Sequence, residues 1–259
     1  MKILPIPWPQ ICYIYPTILF IGVLINSLLP NETLQSHKSN YYVLNSKNIF
    51  NQVMAYNGNK VWSILFILLS VIQIRLQSTN INLLPRHVDS AASKRRHVNS
   101  LIKQYVIKFV LKNVLLAFLF LIIDSLFILT GGECNLIEDI WSAEHCKAKG
   151  GRWEGGFDIS GHFCFLINIS LILWSELSLL NKVLEDREET FTKIDKWMEG
   201  VIVIILGCLY LWMGILFVTA VYYHTLLEKI LGCILGFVCP IVMYYFIPNN
   251  VKLKQTLYK

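Results

Sequence analysis

Along the chain, apolar residues fall in long unbroken runs separated by polar stretches, without the alternation of a strand or the narrow stripe of a soluble helix. Val114–Thr130 and Val201–Ala220 each run for about 17 residues or more with at most one charge, whereas buried apolar runs of 10–14 residues suit soluble cores. A strand barrel is disfavoured because its positions alternate between lipid and lumen. The pattern predicts an all-α integral membrane protein, a single polytopic domain over 1–259. Its roughly six transmembrane helices fall at 11–30, 61–77, 113–131, 161–180, 200–223 and 229–247. The second span is the shortest and ends near Arg75. The third can start earlier as a helix, with Lys108 and Lys112 on its cytosolic first turns. A very tight turn, His224–Glu228, joins the fifth and sixth. Ile11–Pro30 is longer than the apolar region of a secretion signal and no small-x-small cleavage site follows it, so it reads as a retained span.

Composition agrees with the run lengths. The 259 residues are 55% hydrophobic and 15% charged, where a soluble domain carries about 25% charged residues. The net charge of +6 reads as lysine and arginine gathered on one side of a membrane, and no basic patch interleaved with stacking aromatics points to nucleic acid. Arg86, Lys94, Arg95, Arg96, Lys103, Lys108, Lys112, Lys182, Arg187, Lys193, Lys196, Lys252, Lys254 and Lys259 fall on one side with Lys2. Fewer lie opposite: Lys38, Lys47, Lys60, Lys147, Lys149, Arg152 and Lys229. Both termini are therefore expected in the cytosol, and the loops 31–60, 132–160 and 224–228 in the lumen or exterior. Residues 31–60 and 78–104 read as the polar stretches. Cys134 and Cys146 share one lumenal loop, where a disulfide and two free thiols are both open. The other five cysteines read as small packing residues, and none of the seven has zinc-site spacing.

Chemistry concentrates in two places. Gly150–Gly161 is a glycine-dense loop that ends at His162, where the fourth span enters the membrane. Tyr222-Tyr223-His224 ends the fifth span. A glycine-rich loop is most often a connector, and a lone interfacial histidine most often a packing residue. Topology changes that weighing. The fourth span runs inward from His162 and the fifth outward to His224, so both imidazoles reach the same lumenal face. Imidazole suits proton transfer or nucleophilic attack near neutral pH. Two carboxylates lie inside spans, where they are costly. Asp124 sits about two turns from a lumenal end and can approach the histidines, whereas Glu176 lies about 20 Å along its helix from His162 and reads as a tie between helices.

Phe157-Asp158-Ile159-Ser160-Gly161-His162 and the later Tyr223-His224-Thr225 with Glu228-Lys229 resemble the fat storage-inducing transmembrane family, fungal members included. Chain size, six spans and cytosolic termini agree along nearly the whole length. The resemblance implies a hydrolase of the endoplasmic reticulum membrane that cleaves fatty acyl-CoA at its diphosphate. Its products would be acyl 4′-phosphopantetheine and adenosine 3′,5′-bisphosphate, in support of lipid droplet formation, phospholipid homeostasis and membrane integrity. The family is in turn similar to lipid phosphate phosphatases, whose motifs contain Ser-Gly-His and His-x-x-x-Asp. Ser160-Gly161-His162 matches the first, and His224 with Glu228 matches the second with Glu in place of Asp. The likeness implies that His224 attacks phosphorus, oriented by Glu228, while His162 protonates the leaving oxygen; Asp158, Ser160 and Gly161 support them. The expected basic motifs are missing, which leaves Arg152 or Lys229 to hold phosphate. The partners implied are membrane lipids and fatty acyl-CoA, with no nucleic acid, metal or cofactor. Two alternatives stand beside this expectation: a non-enzymatic neutral-lipid binding or partitioning protein, and a general lipid phosphate phosphatase.

Overall fold

The computed structural model describes residues 8–44, 48–80, 90–136, 140–188 and 195–258. Lys2, Lys47, Arg86, Lys193 and Lys259 lie outside them. Six helices are long and apolar enough to cross a membrane. In chain order, α1 is Trp8–Leu28, α2 Asn31–Asn40, α3 Ile49–Asn51, α4 Gly58–Asn80 and α5 Ser90–Leu129. A two-stranded hairpin, β1 Glu133–Cys134 and β2 Trp153–Glu154, brackets α6 Ala143–Ala148. Then come α7 Gly161–Glu188, α8 Lys196–Tyr222, α9 Leu226–Ile241, α10 Ile247–Asn249 and α11 Val251–Leu257. The crossings are α1, α4, α5, α7, α8 and the run from α9 through α10. The shortest expected span is a helix of 23 residues.

The helix α7 is the axis of the bundle, with 89% of its most apolar stretch buried against 17–44% for the other five. In lipid, helices gain little by burying apolar side chains, so close packing and hydrogen bonds hold them together. The most extensive helix packing is α7 against α9, and its sequence cause is Gly232-x-x-x-Gly236. A Cβ at Gly232 would stand 2.5 Å from the Ser160 carbonyl oxygen, and one at Gly236 2.7 Å from the Ile167 Cβ. Gly22 packs against Ala220 in the same way and draws α1 onto α8. Pro240 removes a backbone donor late in α9, and the helix widens into a π turn over Val242–Phe246 directly after it.

Two expectations need correction. Lys108 and Lys112 are not on solvated cytosolic turns: α5 has 40 residues, about 60 Å, twice the hydrocarbon thickness, and both lysines lie on its buried side. Lys108 pairs with Glu176 at 2.6 Å. Lys112 donates to Asn59 Oδ1 and stands 3.9 Å from the Trp62 ring centroid. The second correction is to residues 31–60, expected as a polar stretch. After α2 the chain makes a tight turn over Tyr42–Leu44, then α3 and a π turn over Gln52–Tyr56. This segment is strapped to α8: the Tyr223 hydroxyl donates to the Leu44 carbonyl, and Trp212 Nε1 donates to the Met54 carbonyl at 2.9 Å.

Candidate active site

The site forms at the bundle end that carries the strap and the β1–β2 hairpin. His162 is the second residue of α7, and the chain reaches it through a short segment pinned on both sides. Phe157 N donates to Thr130 Oγ1 at 2.6 Å, and Ser160 N donates to the Glu228 carbonyl at 3.1 Å. Gly155 takes φ 92°, the left-handed turn that swings the chain from β2 toward α7.

His224 arises from the reversal between α8 and α9. Tyr223 is extended, His224 takes φ 58° and Thr225 caps α9. Among the described residues His224 is the sole non-glycine with positive φ, a conformation that costs an ordinary side chain about 1–3 kcal/mol and clusters at functional sites. Glu228 closes a capping box with Thr225, its Oε2 accepting from Thr225 N at 2.7 Å. Its other oxygen, Oε1, accepts from Asp158 N at 3.2 Å. A glutamate in place of aspartate four residues after the histidine therefore has a local reason, because a capping box needs the longer side chain. One carboxylate caps α9 and anchors the chain leading to α7.

The two carboxylates converge on one imidazole. His224 Nδ1 stands 3.5 Å from Asp158 Oδ2 and 3.7 Å from Glu228 Oε2, which leaves Nε2 as the nitrogen for chemistry. Partial burial, countered by the charge of His224 and reinforced by Glu228, holds the Asp158 carboxyl above its ordinary range. His162 Nε2 lies 3.4 Å from Asn51 Oδ1, with the Tyr56 ring at its edge, 6.3 Å between centroids. Both imidazoles line one cavity of about 500 Å³, walled by α8 and the strap.

This geometry sits in a sequence with clear relatives. The chain matches the Fat storage-inducing transmembrane protein family over residues 39–202 and 181–244. It is 41% identical to the acyl-coenzyme A diphosphatase YFT2 of Saccharomyces cerevisiae over 267 residues, 97% of each chain. The chain belongs to the fat storage-inducing transmembrane family. It is also 35% identical over 133 residues to the acyl-coenzyme A diphosphatase fit1 of Schizosaccharomyces pombe, 48% of each chain. With the human acyl-coenzyme A diphosphatase FITM2 it shares 37% over 97 residues, covering 37% of this chain and 35% of that one. No solved structure matches.

In this family member, His162, His224, Asp158 and Glu228 come together, and Ser160 and Gly161 form the joint beneath them. Ser160 is fully buried with its hydroxyl unpartnered, against α9 at Gly232. Asp124 does not line the cavity, and Phe120, one turn before it on α5, packs at Gly161. Two expected residues stand elsewhere. Arg152 is exposed on the hairpin, away from the cavity. Lys229 is buried and donates to the Ala220 carbonyl at 2.6 Å, closing the last turn of α8. Sequence reasoning missed Asn51 and Tyr56 of the strap. The apolar pairs Tyr42-Val43, Ile49-Phe50 and Val53-Met54 were their signal, because a loop facing only water has no need of them.

Proposed function

We propose that this protein is a fatty acyl-CoA diphosphatase of the endoplasmic reticulum membrane, with cytosolic termini and its histidine pair on the lumenal face. It hydrolyses acyl-CoA to acyl 4′-phosphopantetheine and adenosine 3′,5′-bisphosphate. The observation that carries the reading is one cavity holding both imidazoles, with two carboxylates facing Nδ1 of His224. The near-full-length likeness to a protein named for this activity supports it.

Asp158 and Glu228 hold the proton on Nδ1 of His224, so Nε2 keeps its lone pair toward phosphorus. Nε2 forms the N–P bond as the bridging P–O bond breaks, and His162 gives its proton to the departing phosphate oxygen. Water then cleaves the N–P bond, with its proton taken by His162. Asn51 orients the His162 ring through Nε2. For the charged head, the exposed Lys38 on α2 replaces Arg152 and Lys229 as the candidate cation: its Nζ lies 5.2 Å from the ring centroid of Tyr223, which lines the cavity beside His224. The thioester's hydrocarbon tail keeps the substrate at the membrane, at about 0.8 kcal/mol per buried CH₂. The lumenal reading is supported by the exposed Arg95, Arg96 and Lys103 at the opposite end of the bundle, and by the Cys134–Cys146 disulfide on the histidine face.

The test is hydrolysis of oleoyl-CoA by purified wild type beside His224→Ala, with both products identified by mass. We expect both named products from wild type and a rate lower by about 10³-fold or more in the variant. Equal rates would remove the enzyme; release of phosphate from phosphatidic acid in preference would move it to the general phosphatases.

A further inference from the structure

The strap that walls the cavity opposite α8 lies deeper than a loop at the bundle end would. Val201–Ala220 of α8 is uncharged over 20 residues, about 30 Å and so as thick as the hydrocarbon core. Trp212 stands near the middle of this run, and its Nε1 holds the Met54 carbonyl. The level is fixed a second time from the far end of the bundle. Arg75 on α4 meets Asp195, the residue before α8, at 2.9 Å. Gly58, where α4 starts, is 17 residues before Arg75, and Trp212 is 17 residues after Asp195. Helix α4 therefore begins at the level of Trp212, half-way through the bilayer. The rest of this crossing belongs to 42–44 and 48–56.

Non-helical backbone at that depth has no water to bond, and must find partners within the protein. Side chains supply them here. Asn48 Nδ2 donates to the Val43 carbonyl at 2.7 Å, and Asn48 Oδ1 accepts from Asn51 N at 2.6 Å. The Tyr42 hydroxyl accepts from Ile49 N at 3.1 Å, and Asn57 Nδ2 donates to the Gln52 carbonyl at 3.0 Å. The carbonyls of Leu44 and Met54 go to Tyr223 and Trp212. A loop in water could leave all of these groups to solvent. The side chains turned outward are apolar, with Ile49 61%, Phe50 52% and Val53 41% exposed. Between Lys38 and Lys60 the sequence carries one charge, Lys47.

We propose that 42–44 and 48–56 are embedded in the bilayer as the non-helical half of the second crossing. Ile49, Phe50 and Val53 then lie against the acyl chains of the leaflet on the histidine side, and lipid is the partner of this surface. Continuity favours lipid over a second protein: the patch runs into exposed Ile64 and Ile67 of α4 along the chain, and meets Leu211 of α8 at the cavity rim. The same rim includes Val43 and Phe50, so the cavity opens into that leaflet, and a membrane-anchored molecule approaches His162 and His224 from the side. Neither the depth nor the lipid contact depends on the diphosphatase reading.

The experiment reconstitutes the full-length wild-type protein in phosphatidylcholine vesicles that contain a phosphatidylcholine with a diazirine at mid-chain. After photolysis the labelled residues are mapped by mass spectrometry. Label is expected on Ile49 or Val53, which do not line the cavity, as well as on Leu211. Label on Leu211 with none on either strap residue would overturn the proposal. A second readout uses charge, which is costly in hydrocarbon and harmless on a loop in water. Val53→Asp is expected to lower the unfolding temperature in the same vesicles by about 5 °C or more, and Val53→Leu to leave it unchanged. Equal tolerance of aspartate and leucine would place the strap in water and overturn the proposal. Ile49→Asp beside Ile49→Leu serves if Val53→Asp prevents folding.

Discussion

At the histidine face, Nδ1 of His224 stands 3.5 Å and 3.7 Å from two carboxylates in a cavity of about 500 Å³. About 21 Å farther along α7, Glu176 accepts from Lys108 at 2.6 Å, Tyr244 at 2.5 Å and Gln73 at 2.8 Å, with Tyr105 at 3.4 Å. Lys108 also lies 5.0 Å from the ring centroids of Tyr105 and Tyr244. The inner cluster is closed and its carboxylate is saturated, as a charge in a low-dielectric interior must be. The outer cluster is open to the cavity, its contacts to Nδ1 are long, and His224, the nucleophile we propose, sits on strained backbone. Groups that lock a bundle are satisfied; groups that await a substrate keep capacity in reserve.

The comparison breaks if the two clusters answer the same way to mutation. His162→Ala should lower hydrolysis by about 10²–10⁴-fold, the range for a positioned general acid, and leave thermal unfolding in detergent unchanged. Glu176→Leu should do the reverse in kind. It strands Lys108 in the bundle and should cost about 3–5 kcal/mol of stability, read as a lower unfolding temperature, with any lost activity following the lost fold. Lys108→Met with Glu176→Leu should recover most of that stability, because neither charge is then buried alone. A double variant no better than the single would mean that the pair is more than a structural tie.

Asp158→Asn sharpens the outer side of the comparison with a smaller effect. We expect a rate reduced by about tenfold at neutral pH, well short of the 10⁴ for a triad aspartate, because Glu228 still faces Nδ1. The sign for stability is opposite. Asp158 is held above its unperturbed 3.8, so its contribution to stability is present at low pH and lost as pH rises past that value. At neutral pH its charged form is a cost, and the asparagine variant should unfold no earlier than wild type. As pH falls, the wild-type rate should drop through the raised Asp158 range while the variant lacks that component. Unchanged activity with an unchanged acid limb would remove Asp158 from the site.

What the sequence made legible was whatever is local or topological. Run length marks the crossings, and alternate crossings bring His162 and His224 to one face. The likeness of Ser160-Gly161-His162 to a phosphatase motif pointed to His162, which lines the cavity with His224. The failures share a physical cause: a charge is assigned to solvent unless its partner is near in sequence. Lys108 meets Glu176 from 68 residues away, and Lys112 meets Asn59 from 53, so both were counted with the cytosolic charges. Lys229 bonds backbone only nine residues back, yet no pattern of side chains announces a carbonyl as partner. The strap was missed because an apolar loop that folds onto a helix has no period to detect.

The smallest effect we expect is at the hairpin, which lies on the histidine face but outside the cavity. Cys134 and Cys146 are joined, 12 residues apart, closing a small loop worth about 3 kcal/mol or less of local ordering. Two other contacts hold the same hairpin. Trp153 stacks on Phe127 at 4.3 Å, and Thr130 Oγ1 accepts from Phe157 N. The second of these fixes the chain just before Asp158, so the path into His162 does not depend on the disulfide. Cys134→Ser with Cys146→Ser should therefore raise protease cleavage within 135–150 while leaving hydrolysis within about twofold. A tenfold loss of activity at unchanged bundle stability would place the hairpin among the parts that aim Asp158 at His224, and the line between locking and reactive groups would have to be redrawn through it.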